Sequence, residues 1–127
     1  MGSAARSLPE RVVLVVDDED VLCQLTARIL TDAGFRVIEA HSGAEAEALL
    51  DALDGMVQFV LSDITMPEMT GLELAAAVLA RWPTLPVVLM SGQGAPPAHY
   101  VGPFIPKPFT ADALLGTVSG LAPAQKH

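Results

Sequence analysis

The chain alternates between runs that are apolar at every position and stretches where apolar residues recur every three or four. Val12–Val16 is the first run. It holds no polar residue, which is the pattern of a parallel strand covered on both faces. Val21, Leu22, Leu25, Ile29 and Leu30 then recur at helical spacing, and Gly34 ends that helix. Phe35–Glu39 predicts a second strand. Ser42 offers a helix N-cap with Glu45 three residues on, a capping box for a helix running to about Leu53. Val57–Ser62 predicts a third strand, ended by Asp63. Thr70 and Glu73 form a second capping box ahead of a helix over Gly71–Trp82, which Pro83 stops. Pro86–Met90 predicts a fourth strand, followed by Ser91. Val101–Ile105 predicts a short fifth one, leading into Lys107 and Pro108. Thr110 caps a last helix, whose Leu114, Leu115, Val118 and Leu121 face the core.

Strands alternating with helices give a parallel sheet flanked by helices on both faces. Five such units in 127 residues fit a flavodoxin-like, doubly wound α/β fold with strand order 2-1-3-4-5. Residues 11–121 form the one domain. Residues 1–10 are expected to be a disordered tail and 122–127 a short C-terminal tail. One segment breaks the rhythm. Only GQGAPPAHY separates Ser91 from Val101, with two glycines and two adjacent prolines. The fourth helix, which would cross from the fourth strand to the fifth, is therefore expected to be shortened or absent. Nine extended residues still reach roughly 30 Å, longer than an ordinary strand of about 17–20 Å. One helical turn at most is expected, starting at Pro96 and Pro97.

Composition narrows the function. Apolar residues make up 51% of the chain, enough for a core, and the net charge is −8. That charge argues against nonspecific nucleic-acid binding, which needs a basic face, and against docking on an anionic membrane. It favours a divalent cation or a basic partner. The lone Cys23 permits no internal disulfide and points to a cytoplasmic location; it reads as a small core residue on a helix. No apolar run approaches the ~20 residues of a membrane span. His41, His99 and His127 are scattered and read as surface residues, none at metal-ligand spacing with a second ligand.

The residues that end the strands carry the chemistry. Asp17 and Asp18 follow the first strand, Asp63 the third and Ser91 the fourth, while Lys107 lies just past the fifth. In a parallel sheet these ends share one edge, where ligands of open α/β folds bind. Two carboxylates about 4 Å apart repel by roughly 4 kcal/mol at an effective dielectric of 20. One lysine is too little for three acids. Mg²⁺ would add two charges; it takes oxygen ligands and commonly pairs one or two carboxylates with a phosphate. Asp63 has no acidic neighbour in sequence, and a carboxylate can attack phosphorus to give an aspartyl phosphate. Lys107 would bind the phosphate as a point charge, and the Ser91 hydroxyl could donate to it. Taken singly, each residue has a plainer reading: acids cap helices or sit in turns, serine before glycine is loop, and lysine is solvated. Four strands delivering the required types to one edge are poorly explained by chance.

With those residues in place, the stretch from about Arg11 to Leu121 resembles a response-regulator receiver domain. The motifs are Val15-Val16-Asp17-Asp18-Glu19, Leu61-Ser62-Asp63-Ile64-Thr65-Met66-Pro67-Glu68-Met69-Thr70-Gly71, Met90-Ser91-Gly92, and Ile105-Pro106-Lys107-Pro108-Phe109. The resemblance implies that Asp63 is the phosphoacceptor, loaded from a histidine kinase or a histidine phosphotransfer protein. It implies that Asp17, Asp18, Asp63 and the backbone carbonyl of Thr65 hold Mg²⁺ (or Mn²⁺), and that Lys107 and Ser91 bind the phosphoryl group. A cis Lys107–Pro108 bond and a switch pairing Ser91 with Phe104 are implied in the same way, although Phe104 has a core-packing alternative. Thr65 and Gln93 match positions that tune how long the phosphate survives. The short GQGAPPAHY segment departs from the family and makes dimerisation through that face less expected, leaving a monomer or weak dimer. The downstream target is not named by the sequence. Both a single-domain regulator and the receiver of a longer chain, such as a hybrid histidine kinase, fit the resemblance.

Two other readings stand beside this one. A Mg²⁺-dependent phosphohydrolase also uses an aspartate nucleophile at a strand end, but usually places an acid two residues later, where this chain has Thr65. A pseudo-receiver, a binding module that is never phosphorylated, typically loses an acid or the lysine, and this chain keeps them. A dinucleotide site would want glycines where Asp17-Asp18-Glu19-Asp20 stands. The domain is expected to be a signalling module, not a turnover enzyme.

Overall fold

The first apolar run forms a strand, β1 (Val12–Val16), in which Val13 through Val16 are sealed from solvent. The computed structural model describes residues 11–92, 100 and 102–121. Among them β1 is followed by α1 (Asp20–Asp32), β2 (Arg36–Ala40), α2 (Gly43–Leu53), β3 (Val60–Asp63), α3 (Gly71–Arg81), β4 (Val87–Ser91), β5 (Phe104–Pro106) and α4 (Ala111–Ser119). The strands make one parallel sheet in the order β2-β1-β3-β4-β5. This is the flavodoxin-like arrangement that the alternation of patterns predicts. The segment expected to replace a full fourth crossover helix falls on residues outside those described, as do both tails. No helix among the described residues is long and apolar enough to cross a membrane.

Alternation along the strands splits the core in two. Val13, Val15, Leu61, Val88, Met90 and Ile105 pack on one side of the sheet with Cys23 and Leu30 of α1 and with Leu114 and Val118 of α4. Leu14, Val16, Val60, Val87 and Leu89 pack on the other with Ala46 and Leu50 of α2 and with Leu74 and Val78 of α3. Both faces of the central strands are thus buried, which is why their sequences carry no alternation. Cys23 is a core residue, as its sequence context suggests.

Local chemistry sets the boundaries. Thr70 and Glu73 form the complete capping box of α3, and the Thr110 hydroxyl accepts from the Ala113 N–H at the start of α4. The box expected at Ser42 is only half made. Ser42 accepts from the Glu45 N–H at 3.0 Å, but the Glu45 carboxylate accepts from the His41 N–H at 2.8 Å instead of from Ser42. β5 is shorter than the apolar run predicts. Pro103 has no N–H to give a ladder, and pairing begins at Phe104 opposite Leu89. The Pro103 carbonyl still accepts from the Leu89 N–H at 3.1 Å, and the Tyr100 hydroxyl lies 2.8 Å from the carbonyls of Val87 and Pro103. On α1 the buried residues are Cys23, Thr26, Ala27 and Leu30, whereas Val21 and Leu25 face solvent.

Candidate functional site at the carboxyl edge

Strand alternation decides which end residues meet. Asp17 follows Val16, Asp63 closes β3 and Lys107 follows Pro106. All three continue the positions of Val15, Leu61 and Ile105, so they lean toward the α1 and α4 side of the sheet. There, Lys107 Nζ lies 3.3 Å from Asp63 Oδ1 and 3.5 Å from Asp17 Oδ2. Carboxylate oxygens of Asp17, Asp18 and Asp63 all lie within 4.8 Å of one another. Asp17 and Asp63 are buried and Asp18 is exposed.

The main chain holds these groups in place. The Asp17 N–H donates to the Ala40 carbonyl at 3.0 Å, tying the end of β1 to β2. Asp17 Oδ1 accepts from the Glu19 N–H at 3.0 Å. The turn-forming reading of this aspartate is therefore true of one oxygen, while the other faces Lys107. The Lys107 N–H donates to the Ser91 carbonyl at 2.8 Å, and the Lys107–Pro108 peptide is cis. The Ile64 N–H donates to the Met90 carbonyl at 3.0 Å, and the Ser62 hydroxyl to the Asp63 carbonyl at 2.9 Å. Gly71 passes so close beneath that a Cβ there would run into the Asp63 carbonyl oxygen and Ile64 Cα. Burial pushes the Asp63 carboxyl above the ordinary aspartate value. Lys107 pulls it back, and Asp17 and Asp18 push it further up.

The donor set fits a hard divalent cation. It is all carboxylate oxygen, clustered, partly buried and only partly neutralised by one ammonium, which suits Mg²⁺ and offers nothing soft. Thr65 is exposed on the loop leaving Asp63. Ser91 is buried at the end of β4. Continuing the alternation places it with Leu89 on the α2 and α3 side, the same side on which half-buried Phe104 packs. Gln93 lies outside the described residues. Beside Asp17 and Lys107 a groove opens, lined by Leu22, Leu25, Ile29, Pro108 and Phe109.

One cluster escapes the sequence reading. His41 is exposed, but it is not an isolated surface residue. Its Nε2 lies 3.3 Å from Asp20 Oδ1 and 3.9 Å from Glu39 Oε1, and ligand atoms of Cys23, Glu39 and His41 lie within 4.8 Å of one another. Burial and the neighbouring carboxylates of Glu39, Asp17 and Asp20 push the Cys23 thiol up to about 12. Two faint signals were in the sequence. Glu39 and His41 stand two apart at a strand end, and Asp20 and Cys23 three apart on a helix. Nothing local says that the two pairs face each other.

A doubly wound parallel sheet with three acids and a lysine gathered at its carboxyl edge defines a class of α/β domain. Residues 13–119 match the response regulator receiver domain family, and the chain belongs to it. It is 35% identical over 119 residues to the sensor kinase CckA of Brucella abortus (strain 2308), a match covering 89% of this chain and 13% of that protein. Among solved structures, a response regulator receiver protein from Sinorhizobium medicae WSM419 superposes with a TM-score of 0.82 at 29% identity, over 94% of this chain and 99% of that one. The CheX-CheY-BeF₃-Mg²⁺ complex from Borrelia burgdorferi gives 0.79 at 26% identity, over 87% of each chain. The protein is thus a receiver domain of the two-component signalling type, and it spans a small part of the CckA kinase it resembles.

Proposed function

We propose that Asp63 takes a phosphoryl group from a phosphohistidine on a histidine kinase or phosphotransfer protein, with Mg²⁺ (or Mn²⁺) bound beside it, and that the domain then changes conformation to regulate a partner. The observation that carries this reading is the meeting of Asp17, Asp18, Asp63 and Lys107 from three strand ends within a few ångströms. An Asp63 oxygen forms the new bond to phosphorus, the P–N bond breaks, and its electron pair stays with the imidazole. Asp17, Asp18, Asp63 and the Thr65 carbonyl would hold the cation, which neutralises charge on the acids and on the transferring group. Lys107, now paired with two carboxylates, would pair with a phosphoryl oxygen instead. Ser91 would donate its hydroxyl to another, and Phe104, on the same side of the sheet, would close behind it. Thr65 and Gln93 would set how long the phosphate lasts. The similar chain solved in a complex that contains BeF₃ and Mg²⁺ supports a cation and a phosphoryl-like group as ligands of such a domain.

The phosphodonor must bring its histidine to Asp63. The apolar groove of Leu22, Leu25, Ile29, Pro108 and Phe109 runs to that edge and would seat the donor's helix, in the cytoplasm. Thr65, two residues after the nucleophile, gives no general acid for hydrolytic turnover. Incubation with acetyl phosphate and Mg²⁺ tests the proposal by intact mass. A single phosphoryl adduct is expected on the wild type and none on Asp63→Asn. Multiple-turnover phosphate release from small esters would support a hydrolase instead. The absence of both an adduct and Mg²⁺ binding would support a pseudo-receiver.

A further inference from the structure

We infer that Cys23, Glu39 and His41, with Asp20 beside them, form a second cation site, suited to a borderline metal such as Zn²⁺ and distinct from the three-acid cluster. The site is assembled from two elements and a loop. Cys23 and Asp20 are one turn apart on α1, Glu39 lies on β2, and His41 follows that strand. Glu39 and His41 continue the position of Val37, which packs on the α1 side, so they converge on the helix.

The spacing suits a tetrahedral ion. With metal–N and metal–O bonds of about 2.0–2.2 Å and metal–S of about 2.3 Å, neighbouring ligand atoms sit roughly 3.3–3.7 Å apart. His41 Nε2 is 3.3 Å from Asp20 Oδ1 and 3.9 Å from Glu39 Oε1, and ligand atoms of Cys23, Glu39 and His41, though not of Asp20, all lie within 4.8 Å of one another. Asp20 and His41, with side chains 76% and 42% exposed, can close the remaining gap and leave a route in from solvent. Cys23 is buried, and its thiol donates to the Val15 carbonyl at 4.0 Å, a long contact that coordination would replace; its proton leaves to solvent when sulfur coordinates. The other ring nitrogen of His41, Nδ1, lies 3.8 Å from Glu45 Oε1, which accepts from the His41 N–H at 2.8 Å and so ties the residue's main chain beside the cluster.

Donor chemistry separates the two sites. The acids at the strand ends offer only hard oxygen. This cluster adds thiolate and imidazole, which Zn²⁺ prefers and Mg²⁺ does not. The inference does not rest on phosphorylation of Asp63.

Titration of the full chain with Co²⁺ and then Zn²⁺, in excess Mg²⁺ to occupy the three acids, tests it. One equivalent of Co²⁺ is expected, with a thiolate-to-cobalt charge-transfer band that Zn²⁺ bleaches. His41→Ala and Glu39→Gln are each expected to weaken binding roughly tenfold or more, and Cys23→Ser to abolish the band, while Asp63→Asn leaves both unchanged. Because Cys23 is a core residue, the two variants outside the core decide the matter if Cys23→Ser does not fold. No binding in excess Mg²⁺, binding without the thiolate band, or binding lost in Asp63→Asn but kept in His41→Ala would overturn the inference and leave His41 as an ion-pair residue only.

Discussion

Replacing Asp63 by asparagine should make the Mg²⁺-free domain more stable at neutral pH, although it removes the proposed nucleophile. The two side chains have nearly the same shape, so the change is almost purely of charge. Lys107, 3.3 Å away, attracts the Asp63 carboxylate by about 5 kcal/mol at an effective dielectric of 20. Asp17 and Asp18, at 4.8 Å or less, each repel it by about 3.5 kcal/mol or more before Asp18's exposure screens its share. These terms nearly cancel, and what is left is the lost hydration of a buried carboxylate. The folded protein accordingly holds the Asp63 proton more tightly than the unfolded chain does. A folded-state pKa above the unfolded one means that stability falls as pH rises between the two. The expected gain for Asp63→Asn at pH 7 is about 1 kcal/mol, within the usual range for single substitutions. For a domain of this size that is roughly 3–6 °C in Tm. The gain should vanish below about pH 4, where the aspartate is protonated in both states. Thermal melts with chelator at pH 7 and pH 3.5 read this directly. A variant less stable than wild type at pH 7, or equally stabilised at both pH values, would refute the reasoning.

Adding Mg²⁺ should reverse that order. At one hundred times its Kd the cation should stabilise the wild type by about 2.7 kcal/mol and Asp63→Asn by clearly less, as melts across a Mg²⁺ series would show. Lys107→Met should destabilise the Mg²⁺-free domain at pH 7 by about 2 kcal/mol, less than for a fully buried pair because the ammonium is 16% exposed. That loss should fade in acid, and urea titrations at the two pH values would measure it. Gly71→Ala should cost about 1–3 kcal/mol, because the new methyl meets the Asp63 carbonyl, and should slow acetyl phosphate labelling by moving the nucleophile's backbone.

The sheet was legible because its central strands are buried on both faces, so uninterrupted apolar runs mark them and their order leaves few topologies. The residues of the carboxyl-edge site were legible for a related reason. In a parallel sheet every strand ends on the same edge, so Asp17, Asp63 and Lys107 can be gathered by counting. Periodicity alone was less informative on α1. Leu22, Leu25 and Ile29 keep helical spacing yet line a groove beside Pro108 and Phe109, while the sheet is met by Cys23, Thr26, Ala27 and Leu30. The helix is apolar over more than one face, and only the direction in which it leaves β1 decides which face is core. Pro103 hid the start of β5 for a similar reason, since its apolar ring looks like strand while its missing N–H forbids the pairing. The cluster around His41 was out of reach because it depends on α1 lying against β2, a contact no local pattern states.

The central claim is that Asp63 accepts the phosphoryl group. An acyl phosphate is reduced by borohydride to an alcohol, which converts the labelled aspartate to homoserine and marks it permanently. After acetyl phosphate and Mg²⁺ treatment, borohydride reduction and peptide mass mapping should place homoserine at position 63 alone, and chelator should abolish it. Homoserine at position 17 or 18, or a phosphoryl adduct that borohydride leaves untouched, would contradict the account.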